Sequence, residues 1–459
     1  MENTIFVQVA SYKDPELYET LNGVCTQSNH PENVRIVVCW QHGEEESIED
    51  FLNEGFDILD SYIEEGDEIH VISKNDVRIE LIDVHYLKAR GACWARNRIQ
   101  QHYKKEKYTL QLDSHHRFID GWDDVLIDML ESLRPFSKKP LLTAYVPSYD
   151  PENDPQGRVQ EPWEMTFDRF IPEGAIFQRP RTMPNWKERE FPMLTRFYSG
   201  HFCFADGTFA EEVQHDPDYF FHGEEISIAV RAFTWGYDLY TPHKVVVWHE
   251  YTRKGRVKIW DDHQTITKQK KLIEKDWVER NNECHKRNRI LFGMDGEDPS
   301  QIDFGKYGFG SVRSLKDYES YAGISFKYRG ITPDTLEDKE PTLDYTPYTD
   351  EAVWKASLSK SNDIRVVIHK DELKDENGEV ATDYDFWACG ALDEFGKEIA
   401  RKDIQEHEIR KYMNDKNNPF IDHRLIFLCH PDKMSKTYYV WTHSKSKGWL
   451  KKIDKMVDG

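Results

Sequence analysis

The chain has little of several things that mark whole classes of protein. Its 459 residues include seven cysteines, Cys25, Cys39, Cys93, Cys203, Cys284, Cys389 and Cys429, scattered and without a Cys-x-x-Cys pair. That spacing excludes a zinc-finger array and argues against a disulfide scaffold, so the thiols are read as reduced. No apolar run approaches the ~20 residues that a spanning helix needs, and no membrane span is expected. Basic charge is in deficit, 61 Lys and Arg against 83 Asp and Glu, for a net charge of -22. Such a surface repels nucleic acid and anionic membranes, so no nucleic-acid partner is expected. The opening residues Met1 to Ala10 have no basic n-region and enter a strand almost at once, which argues against a signal peptide. With reduced thiols, this makes a cytoplasmic location the expectation. Internal repeats and low-complexity tracts are absent as well.

What remains is a polar, soluble-type chain with a mean hydropathy of -0.76, long enough for two or three domains. Residues 1 to about 145 alternate strand and helix signals. Strands are predicted at Ile5–Ala10, Val34–Trp40, Glu68–Ile72 and Tyr108–Leu112. Helices are predicted from Pro15 through Val24, over Ile48–Tyr62, Ala89–Tyr103 and Asp123–Leu133. This βαβα order implies an α/β domain with a mainly parallel sheet covered by helices. Residues 150–196 have weak periodicity and read as a long binding loop. A helix is predicted over Glu224–Trp235, closed by Gly236, and a broken strand over Leu239–His249. Composition shifts near Asp334–Asp350. We therefore expect a catalytic domain at 1–333, a linker at 334–350 and a smaller β-rich accessory domain at 351–459, whose alternation suggests a sandwich.

The most informative stretch is Tyr108-Thr-Leu-Gln-Leu-Asp-Ser-His-His-Arg-Phe118. A short apolar strand ends in Asp113 and His115, and positions i and i+2 of an extended chain face the same side. One oxygen and one nitrogen donor are thereby presented together at the C-terminal edge of a sheet, where open α/β sheets bind ligands. That is a half-site for a divalent metal holding a phosphorylated ligand. The alternative is a capping aspartate followed by surface histidines. A metallophosphoesterase also uses Asp-x-His, but it needs a later Gly-Asn-His, and the chain has none.

Other motifs follow in order: Phe6-Val-Gln-Val-Ala-Ser-Tyr-Lys-Asp-Pro15, Ala89-Arg-Gly-Ala-Cys-Trp-Ala-Arg96, Asp113-Ser-His115, Ser199-Gly-His201, His222-Gly-Glu-Glu225 and Trp248-His249. Over roughly residues 4–330 the set resembles the GT-A glycosyltransferases that move N-acetylhexosamine to polypeptides. The likeness is strongest to glycosyltransferase family 60, the UDP-GlcNAc:polypeptide α-N-acetylglucosaminyltransferases, with the polypeptide GalNAc-transferases more distant. The resemblance implies a Rossmann-like GT-A fold, UDP-GlcNAc as donor and Mn²⁺ (or Mg²⁺) as cofactor.

Residue by residue, the resemblance implies that Asp113, His115 and His249 hold the metal, with His243 the nearest rival to His249. His116 points away from the pair. Ser114, between the two ligands, joins the donor site. Glu224, and with it Glu225, is implied to bind the donor sugar and act in catalysis; a carboxylate accepts two hydroxyl hydrogen bonds, although acidic residues also favour a first helical turn for the dipole alone. Gly200 and His201 correspond to a turn against the sugar, with His201 a departure from the family's Gly-Gly. Arg90, Gly91 and Arg96 match a segment contacting uridine and diphosphate: glycine permits close backbone approach and arginine pairs with phosphate, against the alternative of a solvated basic helix. Ser11, Tyr12 and Asp14 follow the first strand, where uracil and ribose belong, although Asp14 is also a candidate N-cap before Pro15. Trp163, Arg169, Arg179, Arg181 and Trp186 are candidates for an acceptor groove.

The expectation is thus a metal-dependent, retaining transferase of α-linked GlcNAc from UDP-GlcNAc to a hydroxyl on a polypeptide (hydroxyproline, Ser or Thr) or a glycan. One alternative is a bacterial enzyme building capsule or surface polysaccharide. Another, of a different class, is a sugar-binding module attached to an inactive transferase domain.

Overall fold

Runs of β-branched and aliphatic residues fix the centre of the first unit. In this computed structural model, which describes residues 3–64, 66–252, 255–416 and 418–457, β1 (Ile5–Tyr12) and β2 (Val34–His42) pair in parallel with Ile5 opposite Val34. After these come β3 (Asp57–Glu64), β4 (Asp67–Lys74), β5 (Val77–His85), β6 (Tyr108–Asp113), β7 (His116–Phe118), β8 (Pro140–Thr143), β9 (Trp163–Phe170), β10 (Ile176–Thr182), β11 (Met193–Leu194), β12 (Phe202–Asp206), β13 (Asp238–Thr241) and β14 (Val247–His249). Ten of them form one sheet in the order β11-β13-β8-β12-β6-β1-β2-β5-β4-β3. The helices that position the site are α1 (Leu17–Thr26), α2 (Ile48–Asn53), α3 (Ala92–Gln100), α4 (Trp122–Glu131), α5 (Glu224–Thr234) and α6 (Trp277–Phe292).

The central strands read as near-continuous apolar runs because both faces are buried. Val7, Val9, Ile36, Val38, Leu110 and Leu112 pack with Leu21 of α1 and Trp122 and Leu126 of α4. On the opposite face Phe6, Val37, Cys39 and Ile82 pack with Ala95 and Ile99 of α3. Each such side chain contributes about 1.5–3 kcal/mol on burial, so the strand ends carrying the polar residues are anchored by a rigid floor.

The α/β class is as expected, but the sheet is mixed rather than mainly parallel. β1, β2, β5 and β6 run parallel, whereas β12 runs antiparallel between β6 and β8, and β3-β4-β5 is an antiparallel meander. The helix expected over 48–62 stops at Asn53. Gly55 takes a left-handed φ of 79°, and the chain turns into edge strand β3, whose residues are mostly exposed. An edge strand with one solvated face lacks the apolar stripe that distinguishes strand from helix. Residues 150–196, expected to be irregular, contain the hairpin β9–β10.

The chain divides into two units, and the division departs from the expected linker. Residues 338–347 belong to the first unit, and residues 169–172 and 323–337 belong with 348–459. The second unit has two four-stranded sheets, one built around Ser359–His369 and Phe420–Cys429, the other around Tyr384–Leu392 and Thr437–Ser444. Val366, Ile368, Trp387, Cys389, Ile421, Leu425 and Val440 form its core. Among the described residues no helix is long and apolar enough to cross a membrane.

Candidate metal centre

Register brings the site together. Ala10 pairs with Asp113, so β1 and β6 end side by side and Ser11 and Tyr12 lie next to the Asp-x-His. β7 then pairs antiparallel with β14, placing His249 opposite His116, and the Glu250 amide donates to the His115 carbonyl at 3.2 Å. A histidine 134 positions from His115 in sequence is thereby delivered to it by a three-residue ladder. His243, the rival, is buried elsewhere and is not part of the group.

Asp113, His115 and His249 present donor atoms that all lie within 4.8 Å of one another. Asp113 Oδ2 is 3.5 Å from His249 Nε2 and 3.8 Å from His115 Nε2. Three features test whether these residues fit a divalent cation. His115 Nδ1 hydrogen-bonds Asp14 Oδ2 at 2.8 Å, which turns Nε2 inward with its lone pair free, the arrangement that orients metal-binding histidines. Both His249 ring nitrogens are buried without a hydrogen-bond partner, a costly state unless a ligand occupies one of them. The remaining donor is a carboxylate, and a mixed O/N set suits Mn²⁺. Burial works to raise the Asp113 pKa, but His249 beside it and the charge of Arg96 outweigh this and hold the carboxyl well below the usual range. Burial, reinforced by the charge of His115, presses the His249 imidazole well below its ordinary value. The residues fit.

Asp14 is where the structure departs most from the sequence reading. Its carboxylate is buried and, besides His115, accepts from Ser114 Oγ at 2.7 Å and Arg256 Nη1 at 3.2 Å. Its other oxygen accepts the Glu16 amide at 3.0 Å in the turn ahead of α1; the N-cap position is Glu16, without a side-chain cap bond, so Asp14 does not take the N-cap place considered for it. Ser114 is turned onto Asp14. Arg256, which the sequence reading missed, joins Asp14 to Glu250 at 2.6 Å. No local pattern marks it, because its partners come from residue 14 and residue 250.

Arg96 is buried rather than poised for a phosphate. Its guanidinium spans Asp113 Oδ1 at 2.8 Å and Glu224 Oε1 at 2.7 Å. The second Glu224 oxygen accepts from the Cys93 thiol. Glu224 thus takes one protein donor on each oxygen and braces Arg96. Glu225, one residue on, is partly exposed and accepts from the Gly200 amide at 2.9 Å and the Tyr145 hydroxyl at 2.7 Å. Burial, with the neighbouring Glu224 charge, pushes its pKa up to about 7. A Cβ at Gly200 would meet Glu224 Oε1 at 2.6 Å, so a larger residue there has to displace the Glu224 carboxylate. His201 contributes its side chain, stacking on His249 with ring centroids 4.2 Å apart and accepting the Val146 amide at 3.2 Å through Nε2. His116 is buried and hydrogen-bonds the Asp113 carbonyl through Nδ1.

A cavity of about 170 Å³ opens beside Asp113, His115 and His249. Ser11, Tyr12, Gly91, Phe221, Ile259 and Trp260 contribute to its walls. Tyr12 is fixed by a hydrogen bond to Asp262 at 2.8 Å. Gly91 has φ 119°, and a Cβ there would strike the Phe220 carbonyl at 2.5 Å. The flat, largely apolar wall next to a charged floor suits a planar ring joined to an anionic group. Arg90 does not line this cavity: it is exposed and faces two others. Arg179 and Arg181 are paired with Asp338 at 3.2 and 3.3 Å and do not line this cavity; Arg169 belongs to the second unit.

Residues 4–328 match the family model described as Glycosyltransferase (GlcNAc). No curated protein matches the chain. Among solved structures it is similar to GalNAc-T7 with UDP, GalNAc and Mn²⁺, at 13% identity and TM-score 0.39, covering 69% of this chain and 54% of that one. It is also similar to S. aureus TarS, at 9% identity and TM-score 0.34, covering 99% of this chain and 86% of that one, and to the mannosyltransferase PcManGT from Pyrobaculum calidifontis in complex with GDP-Man and Mn²⁺, at 13% identity and TM-score 0.34, covering 55% and 58%. The chain thus spans about half the length of GalNAc-T7.

Proposed function

The chain belongs to the GlcNAc glycosyltransferase family, and we propose that it is a metal-dependent GT-A transferase of family 60 type, moving GlcNAc from UDP-GlcNAc with retention to a hydroxyl on a polypeptide or glycan. The observation that carries this reading is the Asp113, His115 and His249 group at the floor of a cavity with aromatic walls.

Asp113, His115 and His249 are the residues that would hold Mn²⁺ or Mg²⁺. When bound, the ion neutralises charge on the diphosphate leaving group. The protein supplies the rest. Asp14 fixes the tautomer of His115 and, through Arg256, ties the segment after Glu250 to the end of β1. His201 backs the ring of His249. Arg96 holds Asp113 at one end and Glu224 at the other, so the strand end and the start of α5 keep their spacing. Tyr12, Phe221 and Trp260 offer flat surfaces to a nucleobase, with the Ser11 hydroxyl, buried and without a hydrogen-bond partner, available to it. Glu225, rather than Glu224, has the exposure to meet a sugar hydroxyl, and near neutrality its carboxyl exists in both protonation states. Retention needs no strong base opposite the leaving group; the acceptor attacks on the face from which UDP departs, and positioning carries most of the catalysis.

The test is release of UDP from a panel of UDP-sugars by the full chain with Mn²⁺. UDP-GlcNAc is expected to turn over fastest, with loss of activity in excess EDTA, recovery on Mn²⁺ and loss in Asp113→Ala. Turnover of no UDP-sugar, or full activity in EDTA, would overturn the reading.

A further inference from the structure

A cavity of about 900 Å³ lies apart from the one beside Asp113. It lies between the outer face of α3 and the face of α6 carrying Arg280, Glu283, Lys286 and Arg287, and a neighbouring cavity of about 800 Å³ shares the wall made by Arg90, Trp94, Arg98 and Arg280. Neither is lined by Asp113, His115 or His249; Phe220 lines both the larger cavity and the one at the metal centre.

Most charges here are matched. Arg98 pairs with Asp67 and lies over the Trp94 ring at 5.1 Å. Arg287 pairs with Asp216 at 2.7 Å and Lys275 with Glu283 at 2.7 Å; Glu64 faces the His102 imidazole at 3.2 Å, and burial lowers the pKa of that imidazole. The side chains of Arg90, Arg280 and Lys286 line the cavity and have no hydrogen bond or ion pair among the described residues, against the carboxylates of Glu274 and Glu64. Arg280 is half-buried and its Nε is fully buried without a partner. A guanidinium in that state costs free energy unless an anion joins it. Burial lowers the Arg280 pKa, as does the nearby charge of Arg90, against the opposing charges of Glu274, Glu283 and Glu279.

We propose that this shared wall is a second anion-binding site, distinct from the metal centre, that takes a small organic phosphate, with Arg90 and Arg280 gripping the phosphate and the part of Trp94 that lines the cavity bordering the organic part. Guanidinium forks match phosphate oxygens. The volume falls within the range of small-molecule sites. The carboxylates around the rim disfavour an extended polyacidic chain.

The test is calorimetric titration of the EDTA-treated full chain with glucose 1-phosphate and, separately, with inorganic phosphate; removing metal takes the other cavity out of the measurement. Wild type and Asp113→Ala are expected to bind glucose 1-phosphate alike, and Arg90→Ala/Arg280→Ala to bind it at least about tenfold more weakly. Trp94→Ala is expected to remove the preference for glucose 1-phosphate over inorganic phosphate. The Arg90→Lys/Arg280→Lys pair, which keeps the charge and so guards against a folding defect, is expected to fall between wild type and the alanine pair. UDP binding with Mn²⁺ is expected to be unchanged in both pairs. No binding of either phosphate by wild type, equal loss in Asp113→Ala, tight binding of polyglutamate in place of the phosphates, or undiminished affinity in the alanine pair would each overturn the proposal.

Discussion

Replacing Asp14 by Asn isolates the part of the site that holds no metal itself. The side chain keeps its volume but loses its charge and one acceptor. In the structure one oxygen takes three donors, His115 Nδ1 at 2.8 Å, Ser114 Oγ at 2.7 Å and Arg256 Nη1 at 3.2 Å, and the other takes the Glu16 amide at 3.0 Å. An amide can place its oxygen on one side only, so at least one donor faces an NH₂ group. A hydrogen bond to a charged partner contributes about 1.5–3 kcal/mol, and stability is expected to fall by about that much. The effect on the metal is separate: loss of an orienting partner weakens metal affinity by roughly 10- to 100-fold. Urea unfolding reads the first quantity and calorimetric titration of Mn²⁺ in the presence of UDP reads the second. A variant that is destabilised as expected but binds Mn²⁺ within about twofold of wild type would refute the orienting role, leaving Asp14 as a brace for its loop.

Three further outcomes follow from the same geometry. Glu224→Gln leaves buried Arg96 with Asp113 as its charge partner, and a stability loss near the low end of the ~3–5 kcal/mol range for breaking a buried pair is expected, read as a lowered urea midpoint; an unchanged midpoint would contradict the bracing role. Glu225 has its pKa raised to about 7, so its ionisation costs folding stability as pH rises from the unfolded value, and the cost is complete above the folded one. Glu225→Gln is therefore expected to gain on wild type between about pH 4.5 and pH 7, by about 1–3 kcal/mol, and then to hold a constant lead. His42 donates toward Asp83 at 3.1 Å and the Gly43 carbonyl at 2.9 Å, so both ring nitrogens face acceptors and the imidazolium is favoured. Burial works against this, but the Asp83 and Gly43 bonds and the Asp83 and Glu46 charges outweigh it and raise the pKa. The stability it contributes is fully present below about pH 6.5 and is lost as pH rises through the folded value; His42→Gln is thus expected to cost more in urea unfolding at about pH 5.5 than at about pH 8.5, and equal costs would show that the histidine is neutral throughout.

The sequence alone determined what depends on neighbours along the chain. Alternation of strand and helix signals marked the α/β class, and the two-residue period of a strand put Asp113 and His115 on one side of a sheet edge. The continuous apolar runs of β1, β2 and β6 announced strands buried on both faces. Edge strand β3 was not legible, because a solvated strand has no buried face to impose a pattern, and the mixed character of the sheet was not, because strand direction is set by the connections.

Within the site, tertiary structure decided which polar group meets which. Arg90 and Arg96 look equivalent in sequence, yet α3 turns Arg96 inward between two carboxylates and leaves Arg90 to a different cavity. Glu224 and Glu225 are adjacent, but helical geometry swings successive side chains by roughly 100°, so one is spent on Arg96 and Cys93 while the other faces Gly200 and Tyr145. Asp14 and Arg256 are joined across 242 positions, and His249 reaches His115 only through the β7–β14 register. Pairings at that separation are set by how the apolar strands and helices pack, and a buried charge is tolerated only where packing supplies its partner; the residues are written in the sequence, and their partners are chosen by the fold.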